Sequence, residues 1–155
     1  MFRFNRFKGF TIVELLIVIS VIAILIGLAL PRFKGMQDEG NIAKAKGELR
    51  TLQTGVESYA IHNSNTYPIG LSNLTTATPD IIGSTLPTDP FNGSNNYGYA
   101  TDGGSPAHYY VLYSVGTGGS STCTSVTVST AGVVSETGGS SCIYVTNGGS
   151  KDTTP

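Results

Sequence analysis

The sequence predicts an α+β fold: one long N-terminal α-helix, apolar in its first half and amphipathic in its second, packed against a small C-terminal antiparallel β-sheet. Three observations carry that expectation. Phe10–Leu30 is a run of 21 residues interrupted only by Thr11, Glu14, Ser20 and Gly27. Ile42, Ala45, Leu49, Leu52, Val56 and Tyr59 then recur at spacings of three and four, which places them on one face of a helix. Beyond Pro68 the composition turns to Gly, Ser, Thr and Asn, with short stretches that alternate apolar and polar residues.

The apolar run is about 31 Å long as a helix, enough to cross the hydrocarbon core of a bilayer. Arg3, Arg6 and Lys8 precede it and form a basic flank of the kind that stays cytoplasmic. A cleavable secretory signal has a shorter apolar run and a small-x-small cleavage site, and neither is found here. A plain signal-anchor would explain the flank and the run, but not the carboxylate of Glu14 inside it. A charge at the middle of such a helix costs about 2.5–3.5 kcal/mol, less near its end, and intramembrane carboxylates are as a rule functional.

Gly27, Pro31, Gly35 and Gly40 lie between the two halves. Pro31 removes one helical hydrogen bond and crowds the preceding turn, so a kink is expected there; the alternative is that Pro31 ends an anchor before a separate helix. Lys44, Lys46, Glu48, Arg50 and Glu57 fall largely away from the apolar stripe and are expected on the solvent side. His62-Asn63-Ser64-Asn65 breaks the period, and Tyr67-Pro68 marks the exit. Residues 69–104 read mainly as loop, with turn signals at Pro79-Asp80, Asp89-Pro90 and Asn92-Gly93. Strands are expected at Tyr109–Val115, Thr124–Ser129, Val133–Glu136 and Ile143–Thr146, with a turn at Thr130-Ala131-Gly132. Val126/Val128 and Ile143/Val145 show the period of two expected of a sheet with one buried face.

Lys8-Gly9-Phe10-Thr11-Ile12-Val13-Glu14-Leu15-Leu16-Ile17-Val18 resembles the prepilin signature of type IV pilins and type II secretion pseudopilins, closely from Met1 to about Tyr59 and in outline beyond. The resemblance implies a pilin-like fold and cleavage between Gly9 and Phe10 by a membrane aspartyl prepilin peptidase. It implies N-methylation of Phe10 next. The expected organisation is a leader over 1–9, a transmembrane or filament-core helix over 10–30 and an amphipathic helix over 31–62. An αβ-loop region over 63–108, a sheet with a disulfide-bounded region over 109–147 and a tail over 148–155 complete it. In a filament, the Glu14 carboxylate of one subunit is expected to pair with the Phe10 ammonium of a neighbour; an intrachain i, i+4 pair is the alternative.

Composition agrees with a small exported domain: 39% of residues are hydrophobic and 12% charged. Without Arg3, Arg6 and Lys8, six basic residues remain against ten acidic ones, a net charge of −4, and beyond Glu57 the only basic residue is Lys151. No basic stripe is present for phosphate neutralisation, so no nucleic-acid partner is expected. Cys123 and Cys142, the only cysteines, are expected to form one disulfide in an exported domain, where type IV pilins carry a disulfide-bounded region. Two free thiols are the alternative. His62 and His108 show no ligand spacing near either cysteine, so no metal centre is expected.

Leu86-Pro87-Thr88-Asp89-Pro90-Phe91, Tyr97-Gly98-Tyr99 and Ser114-Val115-Gly116 are similar to the loop-and-strand pattern of the major pseudopilin, which binds calcium through aspartates in the loop that follows. Here that loop is Thr117-Gly118-Gly119-Ser120-Ser121, without a carboxylate; Asp89 and Asp102 are expected as solvated turn residues, and no calcium site is expected. No nucleophile elbow, helical histidine pair or phosphate-cradling loop is found, so neither catalysis nor a cofactor is expected. Asn73-Leu74-Thr75 and Asn92-Gly93-Ser94 match a glycosylation sequon, a pattern common by chance.

The leading expectation is a prepilin, the structural subunit of a type IV pilus-like filament. Its implied partners are copies of itself or related pilins, the prepilin peptidase and methylase, an inner-membrane assembly platform, and the membrane. It would cross the inner membrane once with its head in the periplasm, then enter an extracellular pilus or a periplasmic pseudopilus. A major pseudopilin of type II secretion is the close alternative. A membrane-anchored ligand-binding protein is the alternative of another class, but strand packing accounts for most of the aromatics Tyr97, Tyr99, Tyr109, Tyr110 and Tyr113 that such a site would use.

Overall fold

A computed structural model describes residues 9–77, 81–139 and 141–149. The leader cations Arg3, Arg6 and Lys8, the Pro79-Asp80 turn signal and nearly all of the expected tail lie outside the described residues. The element order is α1 (Ile12–His62), α2 (Asn73–Thr76), β1 (Gly98–Thr101), β2 (Tyr110–Ser114), a single 3-10 turn (Gly119–Ser121), β3 (Ser125–Val128), β4 (Val134–Thr137) and β5 (Ile143–Thr146). Two units divide at Asp38/Glu39.

In the first unit α1 is preceded by Thr11, whose hydroxyl accepts the Glu14 N–H at 3.2 Å while its carbonyl accepts the Leu15 N–H. This is an N-cap, and it sets the helix start two residues later than the apolar run alone suggests. The one hydroxyl within the apolar turns, on Ser20, donates back to the Leu16 carbonyl at 2.7 Å, so it presents no free donor to an apolar surrounding. Pro31 lies inside α1.

The second unit is built in three layers. On the C-terminal part of α1, Ala45, Leu49, Leu52 and Val56 of the expected stripe are buried, its end members Ile42 and Tyr59 are half-buried, and Ala60, outside that stripe, is buried. Ala45, Leu49, Leu52 and Val56 pack with Tyr110 and Leu112 of β2, with Tyr99 of β1 and Ile143 and Val145 of β5 alongside. The sheet is antiparallel in the order β1-β2-β5. Its far face, with Val111 on β2 and Ala100 on β1, meets Val126, Val128 and Val134 of the β3–β4 hairpin. Central strand β2 is thus covered on both sides, which accounts for its nearly continuous apolar sequence.

Two features differ from the expected single sheet within 109–147. The strands form two sheets, because the β3–β4 hairpin folds over β1 and β2 instead of extending the ladder. Strand β1 and the short α2 arise inside the stretch read as loop. Gly98 hides β1 from a propensity reading, yet it is needed: a Cβ there would overlap the ring of Tyr113, its partner across the ladder. Gly55 plays the same part on α1, where a Cβ would overlap Cδ1 of Ile82. Helix α1 ends with Ser64 and Asn65 in the left-handed region and the Asn65 N–H bonded to the Ala60 carbonyl at 2.8 Å.

Cys123 and Cys142 form a disulfide with Cα atoms 5.3 Å apart, joining the residue two before β3 to the residue before β5 and enclosing the hairpin. Cys123 is fully buried in the cluster under the hairpin. Loop-closure models assign about 3 kcal/mol to a loop of this size. Cys123→Ser is accordingly expected to lower stability by about that amount and to expose the hairpin to limited proteolysis; unchanged protease resistance would show that packing alone holds it.

Candidate functional site: an uncovered apolar helix and its carboxylate

Side chains from Phe10 to Met36 are the main uncovered apolar surface among the described residues. Ile12 is 82% exposed, Val13 66%, Ile24 65% and Leu28 71%, and no part of the most apolar window of α1 is buried within the chain. The segment is long and apolar enough to cross a membrane. An all-round apolar helix belongs in lipid or among other apolar helices, since water-exposed apolar patches of this size mark interaction surfaces.

At its start Thr11-Ile12-Val13-Glu14 has the spacing of a capping box, and the Thr11 hydroxyl makes the capping bond to the Glu14 N–H. Glu14 occupies the third helical position, where a carboxylate interacts favourably with the helix dipole. Both Phe10 and Glu14 are exposed, and Phe10 and Gly9 precede the helix. The helical i, i+4 relation between Phe10 and Glu14 therefore does not apply. Phe10 keeps a neutral peptide nitrogen as long as the bond to Gly9 is intact. Recognising T-x-x-E before an apolar run would have given the cap and the helix start from sequence.

Four other carboxylates, Glu48, Glu57, Asp89 and Asp102, are structural acceptors. Tyr97 donates its hydroxyl to Glu48 Oε2 at 2.6 Å, and Tyr110 to Glu57 Oε1 at 2.6 Å. Asn147 ties in by accepting the Tyr110 N–H at 2.9 Å and donating to the Tyr67 hydroxyl and the His108 carbonyl. Glu48 and Glu57 thus correct the expectation of a solvent-facing pair: they border the stripe and reach under the sheet. Lys44, Lys46 and Arg50 are exposed, as expected of this side, and the Lys44–Glu48 pair at 3.9 Å contributes little.

Asp89 is the second correction. It is 1% exposed, and its carboxylate accepts from the Phe91 N–H, the Ser114 hydroxyl and the Val115 N–H. Asp102 does remain in a turn, accepting N–H bonds from Gly104 and His108. Burial by itself would raise its pKa, but the backbone donors outweigh it and the net shift is downward. Among the described residues no cluster of three or more His, Cys, Asp or Glu is placed to hold a metal ion.

An α+β chain with a buried-core C-terminal unit and an uncovered N-terminal apolar helix has an apolar surface suited to lipid or to other apolar helices. The chain belongs to the family described as type II secretion system (T2SS), protein G, which matches residues 32–129, well over half its length. The prokaryotic N-terminal methylation motif matches residues 4–30. The type IV major pilin protein PilA of Myxococcus xanthus is 41% identical over 58 residues, covering 37% of this chain and 26% of that protein. Fimbrial protein EcpB of Eikenella corrodens is 42% identical over 55 residues, 36% and 35% of the two chains. Type II secretion system core protein G of Pseudomonas aeruginosa is 27% identical over 56 residues, 36% and 39% of the two. The matched stretches span between about a quarter and two-fifths of these relatives' lengths. No solved structure matches the chain at a significant level.

Burial, followed by the hydrogen bond and charge of the neighbouring carboxylate, pushes the hydroxyls of Tyr97 and Tyr110 far above the ordinary tyrosine range; burial is also the main cause for Tyr67 and Tyr99. The folded state then favours the neutral phenols. Their contribution to stability is whole below about pH 10, the value of a free tyrosine, and is lost as the pH climbs from there towards the folded-state values. Ultraviolet titration is expected to show only a subset of the eight tyrosines ionising near pH 10, the rest together with unfolding. Ionisation of all of them near pH 10 with the sheet intact would contradict the network.

Proposed function

We propose that this chain is a prepilin, the structural subunit of a type IV pilus-like filament and not an enzyme. The observation that carries this reading is the uncovered apolar helix led by Gly9, Phe10 and Glu14 inside a matched methylation motif. A prepilin peptidase cuts between Gly9 and Phe10, and the new amine of Phe10 is methylated. The subunit waits in the inner membrane with its C-terminal unit in the periplasm. Assembly moves the apolar helix from lipid into a filament core of like polarity, so little hydrophobic free energy is lost in the transfer. The Phe10 ammonium of one subunit meets the Glu14 carboxylate of its neighbour, and removing either partner of such a buried pair costs about 3–5 kcal/mol. Pro31 supplies the bend that lets neighbouring helices pack. The membrane, the processing enzymes, an inner-membrane assembly platform and further copies of the chain are its partners.

A second reading is favoured by the family match over residues 32–129: a pseudopilin whose short filament works within the periplasm for type II secretion. Mass spectrometry of material sheared from cells, beside the membrane fraction, separates the two. An abundant chain beginning at N-methylated Phe10 in the sheared material is the pilin result. The same chain confined to membranes is the pseudopilin result, and a retained leader everywhere overturns both. Glu14→Ala is expected to leave cleavage largely intact and to reduce sheared filament several-fold or more; normal filament yield would refute the charge pair.

A further inference from the structure

The major pseudopilin pattern implies a calcium ion bound by aspartates in the loop that here is Thr117–Ser121. The residues present do not fit one. Calcium takes six to eight oxygen ligands, with carboxylates among them. This loop has no carboxylate, and the carbonyl of Gly119 within it, like that of Gly116 just before it, already accepts backbone N–H bonds. The Gly116 carbonyl accepts the Gly119 N–H at 2.9 Å, and the Gly119 carbonyl accepts N–H bonds from Thr122 at 3.1 Å and Cys123 at 3.2 Å. The Thr122 side chain lies against Gly118, where a Cβ would overlap it, and its hydroxyl is 2.7 Å from that of Ser141.

Asp89 is the carboxylate that reaches this part of the chain, and what surrounds it has the wrong polarity for a cation site. The Phe91 N–H at 3.0 Å and the Ser114 hydroxyl at 2.8 Å point at Oδ1, and the Val115 N–H at 3.0 Å points at Oδ2. The Ser114 oxygen in turn accepts the Gly116 N–H at 3.2 Å. A cation site converges oxygen lone pairs on one point. Here the positive ends of N–H and O–H dipoles converge on a negative group, and the three donors take up three of its roughly four lone-pair sites.

We propose that a carboxylate clasp stands in this chain where the pattern implies a cation. Asp89, held by Phe91, Ser114 and Val115, fixes the 89–91 segment to the end of β2, and Cys123–Cys142 closes the far side. The folded chain therefore neither binds calcium at this loop nor depends on it. This inference is independent of whether the filament is a pilus or a pseudopilus, and it stands or falls without any filament being formed.

The test uses the full chain purified in detergent. Its unfolding midpoint is compared in calcium chloride and in excess chelator, and calcium is titrated calorimetrically. A ligand that binds only the folded state must raise the midpoint. The expected result is one midpoint in both conditions and no saturable heat; a calcium-raised midpoint with saturable heat overturns the proposal. Asp89→Asn is expected to lower the midpoint equally with and without calcium. If that variant does not fold, Ser114→Ala, which deletes one donor and leaves the carboxylate, is expected to lower the midpoint by a smaller step that calcium does not restore. An unchanged midpoint in Ser114→Ala would overturn the clasp.

Discussion

The apolar helix at the start of α1 cannot be left in water, and the arrangement of the sequence follows from that constraint. Backbone groups within it are satisfied by the helix itself, Thr11 caps its first turn, and the Ser20 hydroxyl folds back on a carbonyl. Burying apolar surface is favourable by about 25 cal/mol per Å², so a segment with Ile, Leu and Val on every side is driven towards lipid or other helices like itself. What it cannot neutralise from within is Glu14, the only ionisable side chain between Phe10 and Leu30. On the proposed reading, that group makes the segment depend on a partner where the rest could be content with lipid.

The C-terminal unit obeys the opposite rule: Glu48, Glu57 and Asp89 find their donors inside it. Strand β2 is covered by α1 on one face and the β3–β4 hairpin on the other, and the carboxylates that reach beneath the sheet meet neutral hydroxyl and amide donors. Donors of this kind remain in place over a wide pH range and involve no second charge, so they avoid the desolvation of a buried ion pair. Tyrosine serves this purpose well, because its ring adds apolar burial while its hydroxyl reaches the carboxylate. The ring of Tyr110, 4.8 Å from that of Tyr67, shows both halves of the bargain.

Features with a local period or a local motif were legible in the sequence. The stripe from Ala45 to Val56 follows from helical spacing, β2 to β5 follow from alternation and turn residues, and the disulfide follows from the cysteine pair once an exported family is recognised. What escaped depends on partners distant in sequence. Glu48 and Glu57 sit at the border of the stripe, and only the arrival of Tyr97 and Tyr110, about fifty residues later, decides that they face inward. Asp89 reads as a turn residue because Asp-Pro is a turn signal, and it is one; its burial follows from Ser114 and Val115, which no local rule connects to it. Strand β1 hid behind Gly98, whose missing side chain makes room for Tyr113. The cap at Thr11 was local and readable, as T-x-x-E ahead of an apolar run.

On the proposed reading, the contrast between Glu14 and the settled carboxylates explains why processing must precede assembly. While Gly9 remains attached, the Phe10 nitrogen is an uncharged amide, and moving Glu14 into an apolar core would bury a lone carboxylate at a cost of several kcal/mol. Cleavage creates an ammonium at the one place where a neighbouring Glu14 can use it, and methylation preserves that charge. The same bond scission also removes Arg3, Arg6 and Lys8, whose charges could not follow the helix into an apolar core. A single cut thus turns an electrostatic penalty for packing into an attraction, and the uncovered helix becomes competent for a filament only after the peptidase has acted.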